Sequence, residues 1–154
     1  MKENRYIWYP DTKCCKCIIT YNHQEFEGLA ICHPDDEDLV SEHTGQLIAE
    51  MRASIKVLMH IRDNELRPQL KALYQLYYSM KHSKQFNSKS YESIMLYKHI
   101  RSLENDLNIT HKKLIGLKQG LKDYIDEKEK LYQRIRKKRA VKIEQIKTEE
   151  NQNK

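Results

Sequence analysis

Three arginines in this chain are placed where their charge needs a partner, and Arg62 is the clearest of them. The apolar seam of a predicted helix passes through Arg62, and an unpaired cation on such a seam is very costly to bury. Two interpretations follow. Arg62 either forms an ion pair with Glu65 or an acid of a neighbouring helix, or clamps a phosphate, whose oxygens match the guanidinium fork. Arg52 and Arg101 offer the same chemistry at other heights of the helices.

The polar stretch KHSKQFNSKSYE, residues 81–92, contains a phenylalanine, Phe86, that has no apolar neighbour in the sequence. Phe86 either stacks on a nucleobase, a contact worth about 1–3 kcal/mol per base, or packs as a plug against a neighbouring subunit. Cations on both sides of it and the start of a following helix favour an anion here. The candidate ligand-binding residues of this stretch are His82, Lys84, Phe86 and Asn87.

The elements that must position these residues begin with a β-meander over 5–33. Its β-prone runs are separated by turn signals at 10–13 and 22–24, which predicts three antiparallel strands. Strict alternation gives every strand two different faces. One face of the second strand carries Cys15, Cys17, Ile19 and Tyr21, and one face of the third carries Phe26, Gly28, Ala30 and Cys32, opposite Leu29 and Ile31.

Helical periodicity follows the meander, so the predicted fold class is α+β: a small N-terminal antiparallel sheet and two long antiparallel helices in an oligomeric bundle. The first helix spans 41–82 and is kinked near Pro68, because proline disrupts the preceding turn. The second spans 88–136, is capped by Asn87 or Ser88, and carries a heptad pattern.

The heptad pattern covers about forty residues and would span roughly 60 Å at 1.5 Å per residue, so this helix needs partner helices. This predicts a homo-oligomer. We expect one domain over 1–136, followed by a charged, disordered tail over 137–154.

Motifs for catalysis are missing from the sequence. It contains no Walker loop, HExxH, GxSxG or dinucleotide fingerprint, so we expect a protein that is not an enzyme and needs no cofactor. The cysteines at 14, 15, 17 and 32 lack paired CxxC spacing, which favours structural thiols over a zinc site. The acidic stretch at 33–38 suits a helix N-terminus better than a calcium site, so no metal is expected.

Charge and hydropathy limit the partners. The net charge of +6 favours an anionic partner. No run approaches the roughly 20 apolar residues of a transmembrane helix, and the first residues lack an apolar signal region, so we expect a cytoplasmic protein without a membrane partner. We interpret the basic run from Gln133 as a solvated helix end, because Glu144, Glu149 and Glu150 dilute it. Nucleic-acid binding through this run stays open as an alternative.

The order of these landmarks resembles the first-described type of Thoeris anti-defence protein, a family of small phage proteins. The resemblance covers about residues 5 to 136. It is carried most specifically by the segments AICHPDDED, RDNELRP and YYSMKHSKQFNSKSYE.

This resemblance implies a non-enzymatic sponge. Family members hold the cyclic ADP-ribose isomer made by the host's Thoeris TIR protein without cleaving it, so the downstream effector receives no signal. They work in the host cytoplasm as dimers that build up to hexamers, with pockets between subunits, and some also bind cyclic di- and trinucleotides at separate sites. In this chain the resemblance implies that Phe86 stacks on the base of the ligand and that Asn87, next to it, forms a hydrogen bond to the ligand. The chemistry of Arg52, Arg62 and Arg101 makes them candidates for the diphosphate.

Another class of function fits the same pattern. In a coiled-coil adaptor or a phage structural protein, the heptads themselves would be the function and Phe86 would cap the bundle.

Overall fold

The computed structural model describes residues 3–31, 41–83 and 87–152, and the side chains from residue 4 through 145 within those ranges. Three strands come first: β1 (Glu3–Tyr9), β2 (Cys14–Tyr21) and β3 (Gln24–Ile31). They form one antiparallel sheet in the order β1-β2-β3. The helical part consists of α1 (Glu42–His60), a π-helical segment (Ile61–Leu66), α2 (Arg67–Lys81) and α3 (Tyr91–Gln152). This layout confirms the predicted α+β class.

The turn between β2 and β3 is as short as a hairpin allows. Tyr21 pairs with Gln24, so only Asn22 and His23 form the loop. Both have positive φ, 47° and 62°, as a two-residue turn that matches the twist of the strands requires. Asparagine tolerates this conformation well, which is why the sequence turns here.

The core lies between the inner face of the sheet and α1. Cys15, Cys17 and Ile19 of β2 are fully buried there, and Ala49 and Ala53 of α1 are buried against them. Leu29 and Ile31 lie on the other face of β3, where they are exposed. The predicted strand faces are therefore confirmed for the described residues, whereas Cys32 and the acidic stretch 33–38 lie outside them.

Gly28 lets β3 and α1 approach closely. A Cβ atom at this position would lie 1.9 Å from the carbonyl oxygen of Ala49 and 2.5 Å from the amide nitrogen of Ala53. Both are backbone atoms, so no side chain could rotate away to make room. The contact between sheet and helix therefore requires glycine in β3 facing alanines in α1.

A π-helical segment lies directly before the position, near Pro68, where the sequence predicts a kink. The amide of Arg67 donates to the carbonyl of Arg62, five residues back, instead of to the usual residue four back. Pro68 follows in the first turn of α2 and has no amide hydrogen to donate. The wider turn carries the chain past the proline while the helical path continues.

The start of α3 differs from the prediction by a few residues. The cap is Ser90, whose Oγ accepts from the amide of Ser93 at 3.2 Å. The carbonyl of Ser90 accepts the first helical hydrogen bond, from Ile94 at 3.1 Å. The predicted cap Asn87 instead closes a local turn, in which its Oδ1 accepts from the amide of Lys89 at 2.9 Å.

The heptad seam of α3 faces α1, the π-helical segment and α2. Ile100, Leu103 and Leu114 are buried on it, and most other seam residues through Ile135 are half-buried. Away from this seam, Ile109 and Ile115 remain exposed in the single chain.

The C-terminal end of α3 differs from the predicted disordered tail. The structure describes α3 as one helix through Gln152, well beyond the predicted end at 136. The physical reason is local: residues 133–152 contain neither glycine nor proline and are rich in lysine, arginine, glutamate and glutamine, which favour helix.

Among the helices that the structure describes, none combines the length and apolar content that a membrane crossing requires.

Candidate functional site

Tyrosines and an arginine gather where α2 runs beside the first turns of α3. We call this group the Tyr–Arg cluster: Tyr74, Tyr78, Tyr97, Arg101 and Glu104. The hydroxyl of Tyr74 donates to Glu104, and this bond fixes α2 against α3. Arg101 Nε donates to the Tyr97 hydroxyl at 2.9 Å, and its Nη1 donates to Glu104 at 3.2 Å. The cluster thus holds a guanidinium in place between a tyrosine and a carboxylate.

The aromatic rings of the cluster offer flat faces near this cation. The Tyr74 and Tyr78 rings are stacked with centroids 6.2 Å apart. The Arg101 guanidinium carbon lies 5.2 Å from the centroid of the Tyr97 ring, within cation–π range. Tyr78 and Tyr97 are each about half exposed, at 54% and 48%. A ligand from solvent can therefore reach both rings and the cation.

Hydrogen bonding shifts the titration of two groups in the cluster. The bond from Tyr74 to Glu104, followed by burial, raises the pKa of the Tyr74 hydroxyl. The contact with the Tyr97 hydroxyl, followed by the Glu104 carboxylate, raises the pKa of Arg101. Arg101 is consequently a permanent cation, and Tyr74 remains a hydrogen-bond donor at neutral pH.

Arg62 lies in the π-helical segment and pairs with the residue next to it. Its Nε and Nη2 donate to the two carboxylate oxygens of Asp63 at 2.8 and 2.7 Å, a bidentate contact. Arg67 Nη1 also donates to Asp63, at 2.7 Å. The sequence predicted Glu65 or an acid of a neighbouring helix as the ion-pair partner of Arg62. The partner is instead the adjacent residue, Asp63. A phosphate could bind Arg62 only by competing with this carboxylate.

Asp63, in the π-helical segment, makes the free energy of unfolding depend on pH. The Arg62 guanidinium lowers the pKa of Asp63 below its ordinary value of 3.8. A lowered folded-state pKa stabilises the fold fully above the unfolded-state value, and that contribution disappears as the pH falls through the folded-state pKa. We expect Asp63→Asn to reduce the free energy of unfolding by a constant amount above about pH 5, and by progressively less below about pH 4.

Urea denaturation between pH 2 and pH 7 measures this difference. Asp123→Asn, at an exposed carboxylate of α3, controls for the loss of one negative charge. If the difference between the wild-type chain and Asp63→Asn stayed the same down to pH 2, the ion pair would not be the source of the stabilisation.

Arg52 is also engaged within the chain. It extends from α1 to β3, where its Nη1 donates to the main-chain carbonyl of Leu29. β3 is an edge strand, and an arginine that occupies an edge carbonyl blocks pairing with another strand there.

The joint between α2 and α3 holds the remaining predicted site residues. His82 is the exposed C-cap of α2, and its amide donates to the Tyr78 carbonyl at 3.1 Å. Asn87 is exposed and closes the turn with Lys89. Lys84 and Phe86 lie outside the described residues.

The three predicted arginines do not converge within one chain. Ten residues separate Arg52 from Arg62, a rise of about 15 Å along the helical path. Arg101 lies near the level of Tyr74, because both residues bond Glu104, and Tyr74 is about 18 Å beyond Arg62 on the same path. Arg101 therefore groups with the tyrosines near the joint, and Arg52 and Arg62 lie outside that group.

A second polar group, which sequence reasoning missed, links the β2–β3 turn to the π-helical segment. Tyr21 Oη and Asn22 Nδ2 donate to the Glu65 carboxylate at 3.0 and 3.2 Å. His60 Nε2 lies 3.6 Å from the same carboxylate, and its ring packs 5.1 Å from the Phe26 ring. Burial, and then the bond to Glu65, raises the pKa of the Tyr21 hydroxyl. No sequence signal pointed to this contact, because Tyr21 and Glu65 are 44 residues apart.

The described cysteines are free thiols. Cys15 and Cys17 are buried in the core, and burial raises the pKa of the Cys15 thiol, which keeps it protonated and unreactive. Within residues 3–31, 41–83 and 87–152, no group of three or more histidine, cysteine or acidic side chains could hold a metal ion.

The Tyr–Arg cluster is therefore the described site best suited to an external ligand. It combines an exposed cation, flat aromatic faces and a fixed acceptor, which together suit a molecule that carries a phosphate and a ring. No protein-family model, curated protein or solved structure matches the chain.

Proposed function

We propose that this protein binds a cyclic ADP-ribose-type signalling nucleotide without cleaving it, and so withholds that signal from the host's Thoeris anti-phage defence. The observation that carries this proposal is the Tyr–Arg cluster. A guanidinium suits the diphosphate of such a ligand, and tyrosine faces suit its base. The cluster lies beside the joint that contains Phe86, the residue to which the resemblance assigns base stacking.

Arg101 is suited to bind phosphate because it is already oriented. Its side chain is 64% exposed. Its hydrogen bonds engage Nε and Nη1, and within the described part of the chain Nη2 donates to no partner. A guanidinium held by Tyr97 and Glu104 loses less side-chain entropy when it binds a phosphate than a freely rotating one would.

The energies indicate that one chain is insufficient for a sponge. Nanomolar affinity requires about 12 kcal/mol. A hydrogen bond to a charged group contributes about 1.5–3 kcal/mol, and base stacking about 1–3 kcal/mol. Arg101 and one aromatic ring fall well short of that total. The proposed pocket therefore forms between subunits of a homo-oligomer, a dimer that assembles further to a hexamer.

The outer face of α3 is consistent with such an assembly. Ile109 is 42% exposed and shares one face of the helix with Gly116 and Gly120, seven and eleven residues further along. A Cβ atom added at Gly116 or Gly120 would meet no heavy atom within 4 Å among the described residues. A second helix could therefore approach this face closely.

Capture and release tests the proposal. The protein is incubated with cyclic ADP-ribose or with the product of a Thoeris TIR protein, filtered, and then heated, and the released nucleotide is analysed by mass spectrometry. We expect an intact nucleotide after denaturation. A cleaved product would indicate an enzyme, and absence of capture by the folded protein would refute the binding function.

Substitutions test whether the Tyr–Arg cluster is the site of nucleotide capture. Arg101→Ala should weaken capture by about 10- to 100-fold, the equivalent of one charge-assisted contact. Arg134→Ala removes the same charge from the same helix about 50 Å away and should have no effect.

Phe86→Ala should abolish capture and leave the oligomer assembled, as measured by light scattering. If it dissociates the oligomer, Phe86 is a packing residue and the coiled-coil interpretation is favoured.

A further inference from the structure

A nine-residue segment of α3 carries a formal charge equal to the net charge of the whole chain. Residues 134–142, RIRKKRAVK, contain six lysines and arginines and no acid. Removing these six from the 28 lysines and arginines of the chain leaves 22, equal to the 22 aspartates and glutamates. The rest of the protein is therefore formally neutral, and its attraction for a polyanion is concentrated in this basic segment.

The structure presents the basic segment as a helix. α3 continues without interruption through these residues. Arg134, Lys137, Lys138 and Lys142 are all exposed. At roughly 100° per residue these four lie within less than half of the helix circumference, so they form one cationic face. The acids that dilute the charge in the sequence, at 144, 149 and 150, all follow the segment along the chain.

The geometry favours duplex DNA over a membrane surface. A membrane-surface helix needs a continuous apolar face opposite its cations. Here Val141 lies on the cationic face, and Arg136 and Arg139 lie on the opposite side beside Ile143, so the two kinds of residue are not separated. An α-helix with its side chains is about 10–12 Å across, which matches the roughly 12 Å major groove of B-form DNA.

We propose that the basic segment 134–142 binds the phosphate backbone of double-stranded DNA, without sequence preference and separately from the Tyr–Arg cluster. Binding of this kind works by release of counterions, and at physiological salt its dissociation constant is typically about 10⁻⁴–10⁻⁶ M. The number of phosphates contacted sets the salt dependence. Four to six contacts predict a slope of log affinity against log salt of about −4 to −5.

Fluorescence anisotropy with a labelled DNA duplex of arbitrary sequence and the full chain tests this proposal. We expect affinity to fall several-hundred-fold when salt rises from 50 to 200 mM. A tail variant, Arg134→Gln with Lys137→Gln, Lys138→Gln and Lys142→Gln, should lose most of the binding and reduce the slope by about 3 to 4. It should retain capture of cyclic nucleotides.

A control variant tests whether the position of the removed charges, rather than their number, causes the loss of DNA binding. It removes four exposed lysines of the same helix by substitution with glutamine, at Lys112, Lys113, Lys118 and Lys122. We expect it to bind DNA nearly as well as the wild-type chain. Equal loss in both variants, or no loss in the tail variant, would overturn the proposal. Binding to phosphatidylserine vesicles in the absence of DNA binding would also overturn it and would identify a membrane as the partner.

Discussion

Gly28→Ala is expected to destabilise this protein more than the same substitution at Gly45, Gly116 or Gly120. The new Cβ would lie 1.9 Å from the Ala49 carbonyl oxygen and 2.5 Å from the Ala53 amide nitrogen, so the sheet and α1 would have to separate. Overpacking of a close-packed core costs about 1–3 kcal/mol and occasionally more. Because both opposing atoms are backbone, we expect at least the upper end of that range.

Chemical denaturation at a fixed protein concentration measures this loss. Gly116→Ala is the matched control, since the same methyl group there meets nothing within 4 Å in the described structure. Alanine favours helix over glycine by up to about 1 kcal/mol, so this control should be slightly stabilising at protein concentrations too low for chains to assemble. A Gly28→Ala protein as stable as the wild type would contradict the close contact of β3 with α1.

Leu114→Ala is expected to cause the second large loss. Leu114 is 1% exposed on the inner face of α3, among the most deeply buried side chains of the described structure. Removal of a buried leucine side chain costs about 2–5 kcal/mol, because the lost burial adds to the cavity that remains. We expect a lower denaturation midpoint with an unchanged helical spectrum in the absence of denaturant.

The neighbouring residue provides the control. Ile115 is 54% exposed and lies about 100° around the helix from Leu114, and Ile115→Ala should change the stability of a single chain by no more than about 0.5 kcal/mol. A loss from Ile115→Ala as large as that from Leu114→Ala would contradict the assigned inner face. A loss that grows with protein concentration would instead indicate that another subunit covers Ile115.

The two proposed anion sites lie on one helix and are separable by experiment. Arg101 and Arg134 are 33 residues apart in α3, about 50 Å along its axis. At physiological ionic strength the Debye length is about 8 Å, so charges at this distance do not influence each other appreciably. Loss of nucleotide capture and loss of DNA binding should therefore follow different variants.

Much of the fold could be predicted because its signals are local. Alternation along β2 gave the buried face of Cys15, Cys17 and Ile19, since successive side chains point to opposite sides of a sheet. The heptad pattern likewise predicts the inner face of α3, because residues three and four apart lie on one side of a helix. For the tail after residue 136, high charge density predicts disorder, whereas the structure describes helix through Gln152, because the residues from 133 to 152 are compatible with helix.

The partners of the candidate site residues could not be predicted in the same way. The sequence predicts that Arg62 pairs with Glu65, with an acid of a neighbouring helix or with a phosphate, yet Asp63 holds it through two hydrogen bonds. The wider turn of the π-helical segment changes which side chains face each other. Glu65 is bonded instead by Tyr21, from a hairpin turn that no local pattern connects to the helix.

Local pattern and residue type are thus sufficient to predict the α+β class, the strand faces, the inner seam of α3 and the cationic character of the candidate residues. These properties depend on periodicity and residue type, which are read within a few positions of the chain. Contacts between distant segments could not be predicted in this way: Tyr74 of α2 bonds Glu104, the acid that also accepts from Arg101, and Arg52 bonds the Leu29 carbonyl of β3. The register between α2 and α3 and the close approach at Gly28 set these contacts, and both depend on packing between residues that are distant in the chain.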